Sequence, residues 1–156
     1  MRLFSGTAPN LNKSLSMEID NKFIESVADR WLLKACQDEA PVQVLEYLVK
    51  VGADPNFLDS EGVSPLWEAS RHANLEAMTF LLAAGADPNL GGFEGQSPLH
   101  GAVTSDKNTI EAIKLLLQHG ANPNLKEIDG LTPEQIAKKE EREEVVAFFQ
   151  NLKKQS

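Results

Sequence analysis

The chain is poor in the residues that usually carry chemistry: one cysteine and three histidines among 156 residues. A lone Cys36 excludes an intramolecular disulfide and any cysteine-based zinc set, and it suits a reducing compartment. No run of 18 apolar residues occurs, so no segment reads as a membrane-spanning helix. The opening MRLFSGTAPNLNKSLS lacks the apolar stretch of a secretory signal. Basic residues are also short, 15 Lys and Arg against 23 Asp and Glu, a net charge of −8. That balance repels phosphate backbones and anionic lipid, which argues against nucleic acid and membrane as partners. The expected setting is the cytoplasm, and the expected partner is another protein of basic character.

What the chain does have is repetition. GADPN stands at 52–56 and 85–89, and GANPN at 120–124, so the glycines are 33 and then 35 residues apart. Twelve residues after each glycine comes Ser-Pro or Thr-Pro, at 64–65, 97–98 and 132–133. The hydroxyl caps a helix start, and proline fits the first turn, where no N–H is needed. Thr132 and Gln135 have the spacing of a capping box. Apolar residues follow at helical spacing, and each second stripe (Leu75, Met78, Leu81, Leu82; then Ile110, Ile113, Leu116, Leu117) ends at Gly85 or Gly120. Two short helices cannot bury their apolar faces alone, so the units must stack.

These residues resemble the ankyrin repeat, whose period is about 33 and whose signature is T-P-L-H-x-A. SPLHGAV at 97–103 is the closest copy, SPLWEAS at 64–70 has Trp67 in the histidine position, and GADPN matches the family's junction. The resemblance covers roughly residues 26–152. It implies an all-α solenoid of stacked helix pairs joined by hairpin-like loops. Residues 1–19 are expected to be a flexible leader. An N-terminal cap unit is expected at 20–58, full repeats at 59–91 and 92–126, and a C-terminal cap unit at 127–154. Terminal units should turn polar faces to water, so the free chain is expected to be a monomer. The 35-residue repeat holds two extra residues, placed by the register of its stripes in the turn TSDKNT at 104–109.

No constellation amounts to a catalytic, cofactor or metal site. The three histidines lack metal spacing. Cys36 aligns with small apolar residues of other units and reads as core. NLGGFEG at 89–95 lacks the Lys-Ser/Thr and the strand of a phosphate loop. The resemblance gives His100 a structural hydrogen-bonding role. It also implies that partners bind at loop tips and on the concave face. The matching tips are Leu58, Ser60, Glu61, Val63, Phe93, Glu94, Gln96, Ile128, Asp129 and Leu131. The concave positions are Asp38, Glu39, Glu68, Arg71, His72, Thr104 and Ser105, with Trp67 beside them. Trp67 and Phe93 either anchor a partner or fold back onto the next repeat. The expected function is a non-enzymatic protein-interaction module. An acidic inhibitor or immunity-type protein against a basic enzyme or toxin, and a host-directed effector adaptor, are the alternatives within that class.

Overall fold

The computed structural model describes the backbone of residues 11–155 and side chains from Lys22 onward. Eight α-helices follow in pairs: α1 (Leu11–Gln37) with α2 (Val42–Lys50), α3 (Pro65–Arg71) with α4 (Leu75–Ala83), α5 (Pro98–Val103) with α6 (Thr109–Gln118), and α7 (Pro133–Lys139) with α8 (Glu143–Gln155). There is no strand among the described residues, and the expected all-α solenoid is what forms. The first helices pack in the order α1, α3, α5, α7, and the second helices line up as α2, α4, α6, α8. Part of the expected leader, residues 11–19, is helical and continues α1; residues 1–10 lie outside the described residues.

Local chemistry explains the helix ends. Pro65, Pro98 and Pro133 are the first residues of α3, α5 and α7. The Ser64 hydroxyl accepts the Trp67 N–H at 3.1 Å, and Thr132 and Gln135 form the reciprocal capping box. Gly85 and Gly120, just past α4 and α6, have φ of +95° and +90°, left-handed positions where a Cβ is penalised. The layer of first helices is tight because small residues meet there: Cys36, Ala69, Ala102 and Ala137 are all buried. Around them Leu32, Leu45, Leu66, Met78, Leu81, Leu99, Ile113 and Leu116 are fully buried. Each contributes about 1.5–3 kcal/mol relative to an exposed side chain.

The turn between α3 and α4 spans residues 72–74, and that between α5 and α6 spans 104–108, so the two extra residues are where the register puts them. The longer turn is held from both sides. Lys107 reaches Glu39 of the first pair at 2.8 Å, and Arg142 of the last pair donates to the Val103 carbonyl at 2.6 Å.

The ends of the stack differ. Glu134, which stands where the SPL phrases have leucine, is buried, and its carboxylate is held by Lys138 at 2.9 Å and by Lys153. Those two ammonium groups, Lys153 foremost, keep its pKa below the ordinary carboxylate value. At the other end the expected polar face is interrupted: Phe23, Ile24, Trp31, Val44 and Tyr47 are exposed along with Lys22, Glu25, Glu46 and Lys50. α1 carries apolar residues on two sides, and only one side meets the core.

Candidate protein-binding surface

Three hairpins join the pairs. Asp59 donates its N–H to the Val63 carbonyl at 3.2 Å, Gly92 to Gln96 at 2.6 Å, and Glu127 to Leu131 at 3.1 Å. Two carboxylates shape the outer hairpins from within. Asp59 accepts the N–H groups of Glu61 and Val63, and Glu127 those of Asp129 and Leu131, each at 2.9 Å. Hydrogen bonding from the Asp129 and Leu131 amides holds the Glu127 pKa low. In this register Ser60, Phe93 and Ile128 occupy the same place, first after the hairpin's opening residue. The last two tips are tied directly, Ile128 donating its N–H to the Glu94 carbonyl at 2.9 Å.

At the tips Leu58, Ser60, Glu61, Phe93, Glu94, Ile128 and Asp129 are exposed. Phe93 is 45% and Ile128 70% exposed, although neither is needed to fill the core. Val63 corrects the expectation of an exposed tip: it is buried just before the Ser64 cap. Leu131 is half-buried against the core, and Gln96 is half-buried.

Trp67 is buried and is not an available anchor. The reason lies in the next loop. A Cβ built on Gly92 would fall 2.2 Å from the indole, and one on Gly101 would crowd the Trp67 carbonyl at 3.2 Å. Gly92 of NLGGFEG therefore makes room for the ring. In the next unit His100 does the corresponding work with hydrogen bonds. Its Nδ1 accepts the Ser97 N–H at 3.0 Å, and its Nε2–H donates to the Leu131 carbonyl at 3.0 Å. Trp67 fills space without replacing those bonds, and its Nε1–H has no partner.

The concave positions are largely engaged with one another. Glu68 is buried and takes both Nε and Nη2 of Arg71, at 3.1 and 2.9 Å, while the guanidinium lies 5.7 Å from the Trp67 ring. His72 is half-buried, 3.6 Å from Glu39 and 3.8 Å from Glu68. Lys107, bonded to Glu39, holds that carboxylate's pKa down. Asp38 pairs with Lys34 at 2.7 Å. Thr104 is half-buried and bonded to the Gly101 carbonyl; Ser105 is buried and donates to the Lys107 carbonyl. Glu68 and Ser105 are thus buried, while Asp38 and Glu39 are ion-paired and remain exposed. Among the described residues, the acids without an ion pair include Glu61 and Glu94 at the tips. Lys107 and Arg142 were not singled out by motif; the two-residue insertion was the signal that could have led to them.

Cys36 is buried, and burial, assisted by the Glu68 charge, pushes its pKa up to about 12, which leaves no thiolate for nucleophilic work. No group of three or more His, Cys, Asp or Glu among the described residues could hold a metal ion. No helix among them is long and apolar enough to cross a membrane.

Comparison with known proteins agrees with this geometry. No curated protein matched the chain. A family model described as Ankyrin repeats (3 copies) matches residues 32–127, the stretch from the core of α1 to the third hairpin. The chain belongs to the ankyrin-repeat family.

Proposed function

We propose that the protein is a non-enzymatic binding module that holds a basic partner protein against its hairpin tips, in the cytoplasm. Ankyrin repeats are in general protein-interaction modules, and the family is typically non-enzymatic. The observation that carries the finer reading is the pair Phe93 and Ile128, exposed side by side on tips joined by the Ile128–Glu94 backbone bond. Exposed apolar side chains that the fold does not use are a normal mark of an interface centre. Leu58 extends the apolar surface, and Glu61, Glu94 and Asp129 surround it with negative charge. Arg71 and His72 remain partly exposed on the concave rim and can meet the edge of the same partner.

The test starts with capture of a stoichiometric partner, followed by binding measurements on Phe93→Ala and Ile128→Ala. Each should cost about 2 kcal/mol or more in affinity and act mainly on dissociation. Full affinity in both variants, with sensitivity instead to convex-face changes such as Lys114→Ala, would overturn the site. Turnover of a small molecule with no protein partner would overturn the function.

A further inference from the structure

The apolar end formed by α1 and α2 is unaccounted for by the hairpin tips. Phe23, Ile24, Trp31, Val44 and Tyr47 are 69, 48, 59, 42 and 64% exposed. Phe23, Val27 and Trp31 recur every four residues and so form one stripe of α1. With Ile24 and Tyr47 they line a shallow groove of about 210 Å³. The opposite stripe of α1, Ala28, Leu32, Ala35 and Cys36, is buried. Charged caps are the usual way for a helical stack to finish; here the exposed charges of α1 and α2, among them Lys22, Glu25, Glu46 and Lys50, share the two helices with this apolar stripe.

We propose that this end is the interface of a symmetric homodimer, with a second copy seated N-terminal face to N-terminal face. Size supports it. Scaled by the 150–250 Å² of an aromatic side chain, the five residues offer on the order of 500 Å² per copy, or roughly 1,000 Å² between two copies. That reaches the lower bound of about 1,000 Å² for a specific interface before any rim contacts are added. The asymmetry of the stack then selects the occupant. The C-terminal end presents Lys126, Gln135, Lys138 and Lys153 around buried Glu134. Head-to-tail stacking would set Trp31 and Tyr47 on a surface where those ion pairs are mixed with the apolar Pro123, Phe149 and Leu152, and would desolvate the charges. Only like against like buries both apolar ends. Such a contact is isologous and closes at two copies.

The chain carries its own reporter, because Trp31 lies in the face while the other tryptophan, Trp67, is buried. Sedimentation of the 156-residue chain from low to high micromolar concentration should show the mass rise from 17.1 kDa to about twice that. Trp31 emission should shift to the blue and lose its quenching by acrylamide over the same range. Added salt should strengthen the dimer, since two chains of net charge −8 repel. Trp31→Glu and, separately, Tyr47→Glu should each weaken association by at least about tenfold. Circular dichroism should show both variants folded, as both side chains are exposed, and Phe93→Glu should leave the dimer intact. A 17.1 kDa species at every concentration and salt overturns the proposal. So do assemblies that grow beyond two copies, and a dimer indifferent to both substitutions. Emission from Trp31 that is blue-shifted and protected in a monomer also overturns it, since the chain's own N-terminal residues would then cover the face.

Discussion

The side-chain carbonyl of Asn56 accepts the backbone N–H of Asp87 at 2.7 Å, joining one GADPN phrase to the next. The same amide donates to the Gly85 carbonyl at 2.9 Å. Asn89 repeats the pair one unit on, accepting from Asn122 N–H at 2.7 Å and donating to Gly120 O at 3.2 Å. Asp29 of α1 opens the ladder by accepting the Asp54 N–H at 2.6 Å. Within each phrase the Asp or Asn turns back to cap the Asn two residues on. The phrase is therefore written three times because its last residue is the tie between successive units. After Asn124 come α7 and α8, but among the described residues no further such phrase follows for it to tie. Asn56→Ala and Asn89→Ala should each lower unfolding free energy by about 1–3 kcal/mol, because two backbone groups lose their partner. Asn124→Ala should stay within about 0.5 kcal/mol of the parent. Urea unfolding of the three variants checks this, and equal losses would refute the ladder.

A second relationship couples Trp67 to Gly92. Gly92 has an extended backbone, φ −138° and ψ −171°, so its lack of a side chain answers to space and not to conformation. Gly92→Ala should destabilise by about 1–3 kcal/mol through overpacking against the indole. In a Trp67→His background the same change should cost markedly less, giving a coupling of about 0.5–3 kcal/mol in a double-mutant cycle. Additive effects would show that the ring does not set the glycine.

Much of this architecture was legible beforehand, and the reasons are local. Ser64, Ser97 and Thr132 announce helix starts through their own hydroxyls and the proline that follows, and Gly85 and Gly120 announce stops through backbone geometry. The location of the two-residue insertion followed from counting. Burial at the tips was less legible, because Val63 and Phe93 are both apolar residues in polar loops, and only the hairpin bonds decide which one turns inward. Pairing of Glu39 with Lys107 joins residues 68 apart in sequence, which no local pattern encodes. For Trp67, where sequence allows both anchor and core, the close approach of Gly92 to its ring decides for core. The apolar side of the N-terminal end is hard to read locally, because Ala28, Leu32 and Cys36 already supply the buried stripe of α1 and only packing shows that Phe23 and Trp31 stand outside it.

Cys36 offers a test of the core. With its thiol buried and its pKa near 12, a thiol reagent should label the native protein only as fast as the α1–α3 contact opens. Cys36→Ser should cost about 1–3 kcal/mol, the penalty of a buried hydroxyl without a partner. Immediate stoichiometric labelling would contradict the packing of this helix layer.

His100 makes stability depend on pH. Its neutral ring accepts at Nδ1 and donates at Nε2, and burial holds its pKa below the ordinary 6.5. A proton on Nδ1 would face the Ser97 N–H, so the folded state resists protonation while the unfolded chain takes it up. The stabilisation is thus complete above pH 6.5 and is lost as pH falls from there toward the folded pKa. The loss attributable to His100 should not exceed about 1.4 kcal/mol per pH unit. Urea midpoints at successive pH values should fall for the parent and fall less steeply for His100→Gln. Parallel slopes would show that another group governs the decline.

Acids at the tips and acids on the concave face should behave differently toward a basic partner. Glu61 and Glu94 are exposed and, among the described residues, without an ion pair, so their field reaches into solvent. Glu39 is offset by Lys107, and Glu68 by Arg71, so their fields are largely cancelled before a partner arrives. Glu61→Lys and Glu94→Lys should therefore slow association and leave dissociation nearly unchanged, and the effect should shrink as salt rises. Glu39→Gln should change association little, since it also frees the Lys107 charge only at the far rim. Glu68→Gln should act through stability, by weakening the hold on Arg71 beneath the concave surface. Stopped-flow association at two ionic strengths, with circular dichroism to confirm folding, separates the two groups. Equal effects of paired and unpaired acids on the association rate would place the docking surface on the concave face and away from the tips.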